Sequence, residues 1–261
     1  MKLHTLLIAA ALLSGACAFG NESETTWNYS TSTIVMSRYY GSIVGGIFYP
    51  GTMSFTDFAA RKNDADGSTG FDLSLGQKLD RSSYNRDSGN EYDFTVDRME
   101  TFGSADFPVK IDLGVCYLAV HDLRQIKDDF LSPYVRLDLP KVRFIQPYVT
   151  VYRFDRVGNS PEDSGWFFYG GFIRSQPLGI SLHGVPLSLT LDYRLGYSEK
   201  LFGTEPGLSY ERVGISLPLA VARSWTITPT VIEQFKGDQP SGRAFAPHSQ
   251  MLWTLLVVHP L

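Results

Sequence analysis

Leu187-Ser188-Leu189-Thr190-Leu191-Asp192-Tyr193-Arg194-Leu195-Gly196-Tyr197-Ser198 alternates between apolar and polar side chains without a break. Successive side chains of an extended chain point to opposite faces. The leucines and tyrosines therefore share one face, and Ser188, Thr190, Asp192, Arg194, Gly196 and Ser198 share the other. A strand this long is about twice the usual strand of a soluble domain, and it crosses a bilayer core when tilted. Lipid on one side and water on the other is the environment of a transmembrane antiparallel β-barrel, an all-β fold.

The pattern recurs along the chain and predicts twelve strands. They lie near Trp27–Tyr39, Thr52–Arg61, Gly70–Leu79, Glu91–Glu100, Val109–Val120, Ser132–Leu139, Gln146–Phe154, Trp166–Arg174, Leu187–Ser198, Ser209–Leu217, Trp225–Gln234 and Met251–His259. Alternation is clean in Phe71/Leu73/Leu75 against Asp72/Ser74/Gly76, and in Tyr92/Phe94/Val96 against Asp93/Thr95/Asp97. The first, second, eighth and twelfth segments are blurred, with apolar or polar groups on both faces. With both ends of the barrel in the periplasm, connections after odd strands should be long and those after even strands short. Asp80–Asn90, Asp155–Gly165 and Lys236–Gln250 fit the long class, and Thr101–Asp106 and Pro140–Phe144 the short one. Ser175–Pro186 is too long for its class, and the connection around Arg124–Asp128 too short. Proline donates no ladder hydrogen bond. Pro133 and Pro147 fall at strand starts, but Pro229 falls inside a strand and predicts a bulge or a shifted boundary there.

The N-terminus predicts export. Lys2, the apolar stretch Leu6–Leu13 and Ala16-Cys17-Ala18 make a secretory signal peptide over residues 1–18, leaving residues 19–261 for the barrel. The rival reading makes Cys17 a lipidated N-terminal cysteine, but Ser14 stands three residues before it and the leucine lies one step too far back. Cleavage after Ala18 leaves Cys116 as the one cysteine of the mature chain, so an internal disulfide cannot form. The net charge is −4, with 43% hydrophobic, 19% charged and 13% aromatic residues, and beyond the signal no apolar run reaches the length of a membrane-spanning helix. No Lys/Arg cluster points to nucleic acid. Tyr39, Tyr40, Phe48, Tyr49, Trp166, Phe168, Tyr197, Trp225 and Trp253 lie near predicted strand ends, where an interfacial girdle places aromatics. Strand propensity alone also enriches tyrosine and phenylalanine.

Ser37-Arg38-Tyr39-Tyr40-Gly41 followed by Phe48-Tyr49-Pro50 resembles the opening of the TorF-like porins of Gram-negative bacteria. Thr69-Gly70-Phe71-Asp72 and Gly89-Asn90-Glu91-Tyr92-Asp93 resemble that family's third and fourth strands. More distantly, the chain is similar to the Tsx-like nucleoside-channel barrels. The resemblance covers roughly the first hundred residues and implies a twelve-strand barrel and solute transport. The chain departs from the family in having Gly76-Gln77-Lys78 where a tryptophan is usual, and in ending His259-Pro260-Leu261 rather than on an aromatic residue.

If the apolar faces meet lipid, the predicted pore-lining residues are Asp72, Asp93, Asp97, Lys110, Asp112, Arg136, Asp138, Asp192, Arg194 and Arg212, joined by Tyr134, Tyr148 and Tyr152. Facing lipid at mid-depth, an Arg or Lys would cost roughly 2–4 kcal/mol. Barrels of eight strands are filled by side chains while those of sixteen or more leave a channel, so twelve admits either an open lumen or an interior closed by Asp–Arg pairs. The expected function is an outer-membrane channel for passive diffusion of small solutes. Sequence neighbours such as Lys110/Asp112, Arg136/Asp138 and Asp192/Arg194 should cancel, which predicts weak selectivity, slightly for cations, and neutral or zwitterionic cargo stacking on the tyrosines. A plugged scaffold barrel is the runner-up and an outer-membrane hydrolase the third reading. His121-Asp122 with Asp128-Asp129, His183 near Ser188, and His248-Ser249 are the only catalytic candidates, and they lack an activating third group. No cysteine or histidine spacing suits a metal and no glycine loop suits a phosphate, so no cofactor is expected. The expected location is the bacterial outer membrane, and the expected partners are its lipid and lipopolysaccharide, the barrel-assembly machinery and small solutes.

Overall fold

The computed structural model describes residues 26–37, 39–40, 47–49, 51–64, 67–79, 90–121, 129–142, 144–158, 164–201, 205–222, 224–238 and 249–261. Twelve long strands follow one another: β1 (Thr26–Met36), β2 (Met53–Asn63), β3 (Gly67–Lys78), β4 (Asn90–Gly103), β5 (Pro108–His121), β6 (Asp129–Asp138), β7 (Gln146–Arg156), β8 (Gly165–Leu182), β9 (Val185–Glu199), β10 (Gly207–Ser216), β11 (Trp225–Lys236) and β12 (Gln250–Pro260). Each pairs antiparallel with the next, and β1 pairs with β12 from Ser30↔Pro260 to Met36↔Thr254. The sheet is thus a closed barrel in which each long strand has a neighbour on both sides, and closure of this kind satisfies the ladders inside lipid, where an unpaired backbone group costs several kcal/mol. Among the described residues no helix is long and apolar enough to cross a membrane. A two-stranded hairpin (Tyr39–Tyr40 with Ile47–Tyr49) lies between β1 and β2.

The strands are tilted. Partners traced from Thr26 at the start of β1 run through Asn63, Ser68, Met99, Asp112, Arg136, Thr150, Tyr169, Gly196 and Tyr210, climbing from one end of the barrel to the other. Tilt of this kind is what closure of a sheet requires. It also sets side-chain parity: Phe71, Leu73, Tyr92, Phe94, Leu113, Val135, Val149, Leu189, Leu195, Ile215 and Val231 are exposed on the outer surface. Trp27, Trp166, Tyr197, Trp225 and Trp253 are exposed near strand ends, as a girdle requires. The aromatics of the hairpin before β2 lie outside the described side chains.

All twelve predicted strands are present, with three corrections. Strand β8 runs on to Leu182 instead of ending at Arg174, and the supposed long connection Ser175–Pro186 is a hairpin that turns at His183 and Gly184 (φ 51° and 80°). Glycine suits that left-handed turn. Exposure hid the continuation, since β7 stops pairing with β8 at Ile173 and β10 begins to pair with β9 at Thr190. The even connection is therefore short after all. At Pro229 the register to both neighbours is unbroken and there is no bulge. The interruption falls opposite, where Leu217 donates to the Pro229 carbonyl (3.1 Å) and the strand resumes as Leu219–Ala222. A bulge occurs instead between β9 and β10, at Gly196/Tyr197. The signal peptide, Arg124–Asp128 and His248 lie outside the described residues.

Candidate functional site: the barrel interior

Every residue expected on the wet face is found on the inner wall, because register and the outer apolar set fix the parity of β3 to β10. Asp72, Asp93 and Asp97 lie on β3 and β4, Lys110 and Asp112 on β5, and Tyr134, Arg136 and Asp138 on β6. Tyr148 and Tyr152 lie on β7, Asp192 and Arg194 on β9, and Arg212 on β10.

The bonding among them is specific. Arg61 on β2, absent from the sequence prediction, grips the buried Asp97 with two nitrogens at 2.9 Å each and reaches Asp72 at 3.4 Å. It packs over Gly70, where a side chain would collide with it. Arg136 holds Asp138 through two bonds of 2.8 and 2.7 Å. The Tyr148 hydroxyl donates to Asp192 (2.8 Å) and accepts from Arg194 (3.1 Å), and Arg194 also reaches Asp192 (3.3 Å). Arg212 bonds the Gln234 side-chain oxygen. Planar bidentate pairs of this kind are the stronger ones. Two of the three predicted charge pairs therefore form, and Lys110 and Asp112 do not pair with each other. Asp112 instead accepts from the Tyr134 hydroxyl (3.4 Å), whose ring lies over Gly114, and its other oxygen is buried without a partner among the described residues. Asp57, also missed, accepts from Ser32 (2.9 Å).

Aromatic rings and guanidinium groups alternate along the inner face of β6 to β10. Tyr134 and Tyr152 lie 5.1 Å apart, and Tyr152 stacks on Tyr169 at 6.0 Å. Arg136 lies 4.8 Å above Tyr148, Arg194 lies 4.7 Å above Tyr169 and Arg212 lies 4.6 Å above Tyr210. Such stacking favours arginine over lysine.

The outer half of the interior is different in kind. Met36, Met53, Phe55, Phe130, Phe154, Phe167, Tyr210, Ile232 and Leu252 all point inward near the outer ends of their strands and form one buried apolar cluster with Leu201 and with Tyr148, Tyr152 and Tyr169 of the neighbouring belt. Phe167, Tyr210 and Met53 are 0% exposed. Part of the charged belt nearer mid-barrel remains wet, with 39% of the Arg61 side chain and 31% of Asp72 exposed although both face inward, while Asp97 and Arg212 are buried.

His183 sits in the turn between β8 and β9 with Ser188 further along β9, Asp129 accepts a hydrogen bond from the Tyr117 hydroxyl, Ser249 accepts one from the Lys236 N–H, and His121, Asp122, Asp128 and His248 lie outside the described side chains. Among the described residues no group of His, Cys, Asp and Glu is placed to hold a metal.

The closed antiparallel barrel, apolar outside and charged within, has the architecture of an outer-membrane barrel protein. Among solved structures it is similar to the KdgM porin, with 10% identity over 88% of this chain and 98% of that one and a TM-score of 0.51. It is likewise similar to an outer membrane channel from Pseudomonas putida F1, with 8% identity over 93% and 100% of the two chains and a TM-score of 0.53. No family model matches the sequence, and no curated protein does. At these identities the likeness is one of fold.

Proposed function

We propose that this protein is a porin-like channel of the Gram-negative outer membrane, passing small solutes by diffusion and only weakly selective among ions. The observation that carries this reading is the wet charged belt inside a closed barrel, with Arg61, Asp72, Asp192 and Arg194 partly exposed toward the interior. An interior that only had to hold its shape would do as well with apolar filling, since buried ion pairs contribute little net stability. Kinship with the TorF-like porins and removal of residues 1–18 belong to the same proposal, and both agree with an exported barrel.

Under this reading Asp72, Asp93, Asp97, Lys110, Asp112, Arg136, Asp138, Asp192, Arg194 and Arg212 line the path, with Tyr134, Tyr148 and Tyr152. The apolar layer at the outer end is the constriction a solute has to displace. That dry layer also favours the second reading, a plugged barrel acting as scaffold. Planar-bilayer recording of the refolded chain separates the two. Unitary current steps are expected, and a silent bilayer containing correctly folded barrel would leave the scaffold reading in possession.

A further inference from the structure

The charges of the interior are sorted by wall. On β2 to β5 the inward carboxylates are Asp57, Asp72, Glu91, Asp93, Asp97 and Asp112; the central cation Arg61 pairs with Asp97 and Asp72, and Lys78 and Lys110 are set at the two ends of their strands. On β6 to β10 the guanidinium groups of Arg136, Arg156, Arg194 and Arg212 outnumber the inward aspartates, Asp138 and Asp192, and Arg136, Arg194 and Arg212 each lie over a tyrosine ring. The wall between them is nearly uncharged: Thr226 to Gln234 on β11, Gln250 to Val258 on β12 and Ser30 to Met36 on β1 present only neutral side chains inward, with Lys236 at the end of β11.

Pairs of opposite charge adjacent in sequence cancel locally, but this separation of whole walls does not. A low-dielectric barrel focuses the remaining field across the lumen, and bulk salt screens it less than at an open surface. An anion or a cation alone is attracted by one wall and repelled by the other, while a neutral polyol gains from neither. A solute carrying both charges, separated along its length, gains from both walls in one orientation.

We propose that the lumen favours zwitterionic solutes, with the cationic end toward the carboxylates of β2 to β5 and the anionic end toward the guanidinium groups of β6 to β10. This rests on the channel reading above and narrows it to a class of cargo. Asp112 is the key position on the acidic wall. One of its oxygens is buried and unpartnered among the described residues, and the other is held only by Tyr134 at 3.4 Å.

Swelling of liposomes containing the refolded full chain tests it, with glutamine as the zwitterion and arabinose, of similar mass, as the neutral reference. Glutamine is expected to enter roughly three-fold faster, the scale that single exposed ion pairs can supply. Asp112→Asn should bring the glutamine-to-arabinose ratio toward one. Arg194→Gln should do the same from the opposite wall, and its folding is checked by heat-modifiable migration because Arg194 is interlocked with Tyr148 and Asp192. Equal rates for the two solutes in the unmodified protein would overturn the zwitterion proposal and leave the channel standing, as would a ratio indifferent to Asp112→Asn. Absence of swelling with either solute would overturn both.

Discussion

Tyr148 on β7 and Asp192 on β9 are joined by a 2.8 Å hydrogen bond that passes across the strand between them. The crossing is possible because β8 places Gly171 in register with both Tyr148 and Arg194, so no side chain stands between the two. The charged belt is therefore tied around the barrel wall through a glycine gap.

Substituting that glycine tests the tie. A Cβ on Gly171 would lie 1.8 Å from the Tyr193 carbonyl oxygen, so the backbone itself has to move. Gly171→Val is expected to destabilise the barrel by about 1–3 kcal/mol, the usual penalty for forcing volume into a packed site. Urea-dependent unfolding followed by tyrosine fluorescence measures it, and a midpoint equal to that of the unmodified protein would show that the gap is dispensable.

Register and membrane depth are tested together by two arginines. Leu191 faces outward in mid-strand on β9, and Leu191→Arg places a cation against lipid at a cost of roughly 2–4 kcal/mol. Ser188→Arg, three residues away on the opposite face and on the part of β9 that β10 does not reach, should assemble normally. The readout is the folded fraction on an unboiled gel. Equal damage from both substitutions would mean that the parity is wrong.

The four strands whose alternation is blurred in the sequence all turn apolar side chains inward as well as outward. Ile34 and Met36 of β1, Met53 and Phe55 of β2, Phe167 of β8 and Leu252 of β12 all belong to or pack on the dry outer layer. Alternation reports the difference between lipid and water, and where the interior is dry that difference vanishes. The same blurring concealed Arg61 and Asp57, since the parity of β2 was unreadable without its neighbours. On β3 to β6 the lumen is wetter, and there the sequence predicts most of the inward charges but misses Lys78 and Glu91. The pairs of sequence neighbours, Arg136/Asp138 and Asp192/Arg194, were legible, but the Arg61–Asp97 pair was not, because Arg61 meets Asp97 from two strands away and tilt brings residues together that no sequence spacing connects.

Removing Arg61 should be far more harmful than removing one of its partners. Asp97 is 2% exposed and both of its carboxylate oxygens are bonded by Arg61, so Arg61→Ala leaves a buried charge without its counterion. Breaking such a pair from one side costs about 3–5 kcal/mol. Asp72 is held more weakly, at 3.4 Å and on a partly exposed side chain, and Asp72→Asn should cost less than about 1 kcal/mol. Comparable losses in the two variants would show that Asp97 is not the dominant partner.

The dry outer layer makes the sharpest prediction, because it separates a constricted channel from a filled barrel. Phe167 is fully buried and stacks on Tyr210 at 6.2 Å in the centre of that layer. Phe167→Ala removes the ring and leaves a cavity beside Gly196, over which both rings pack. The substitution should cost roughly 3–5 kcal/mol of stability, as large-to-small changes in a packed core do. In a bilayer it should also raise unitary conductance and lengthen open intervals, since water can then bridge the layer. Cys116 supplies a second reading of the same event. It faces inward and is buried, so a small water-soluble thiol reagent should label it slowly in the unmodified protein and faster in Phe167→Ala. A folded Phe167→Ala barrel that neither conducts more nor labels faster would place the barrier elsewhere in the lumen.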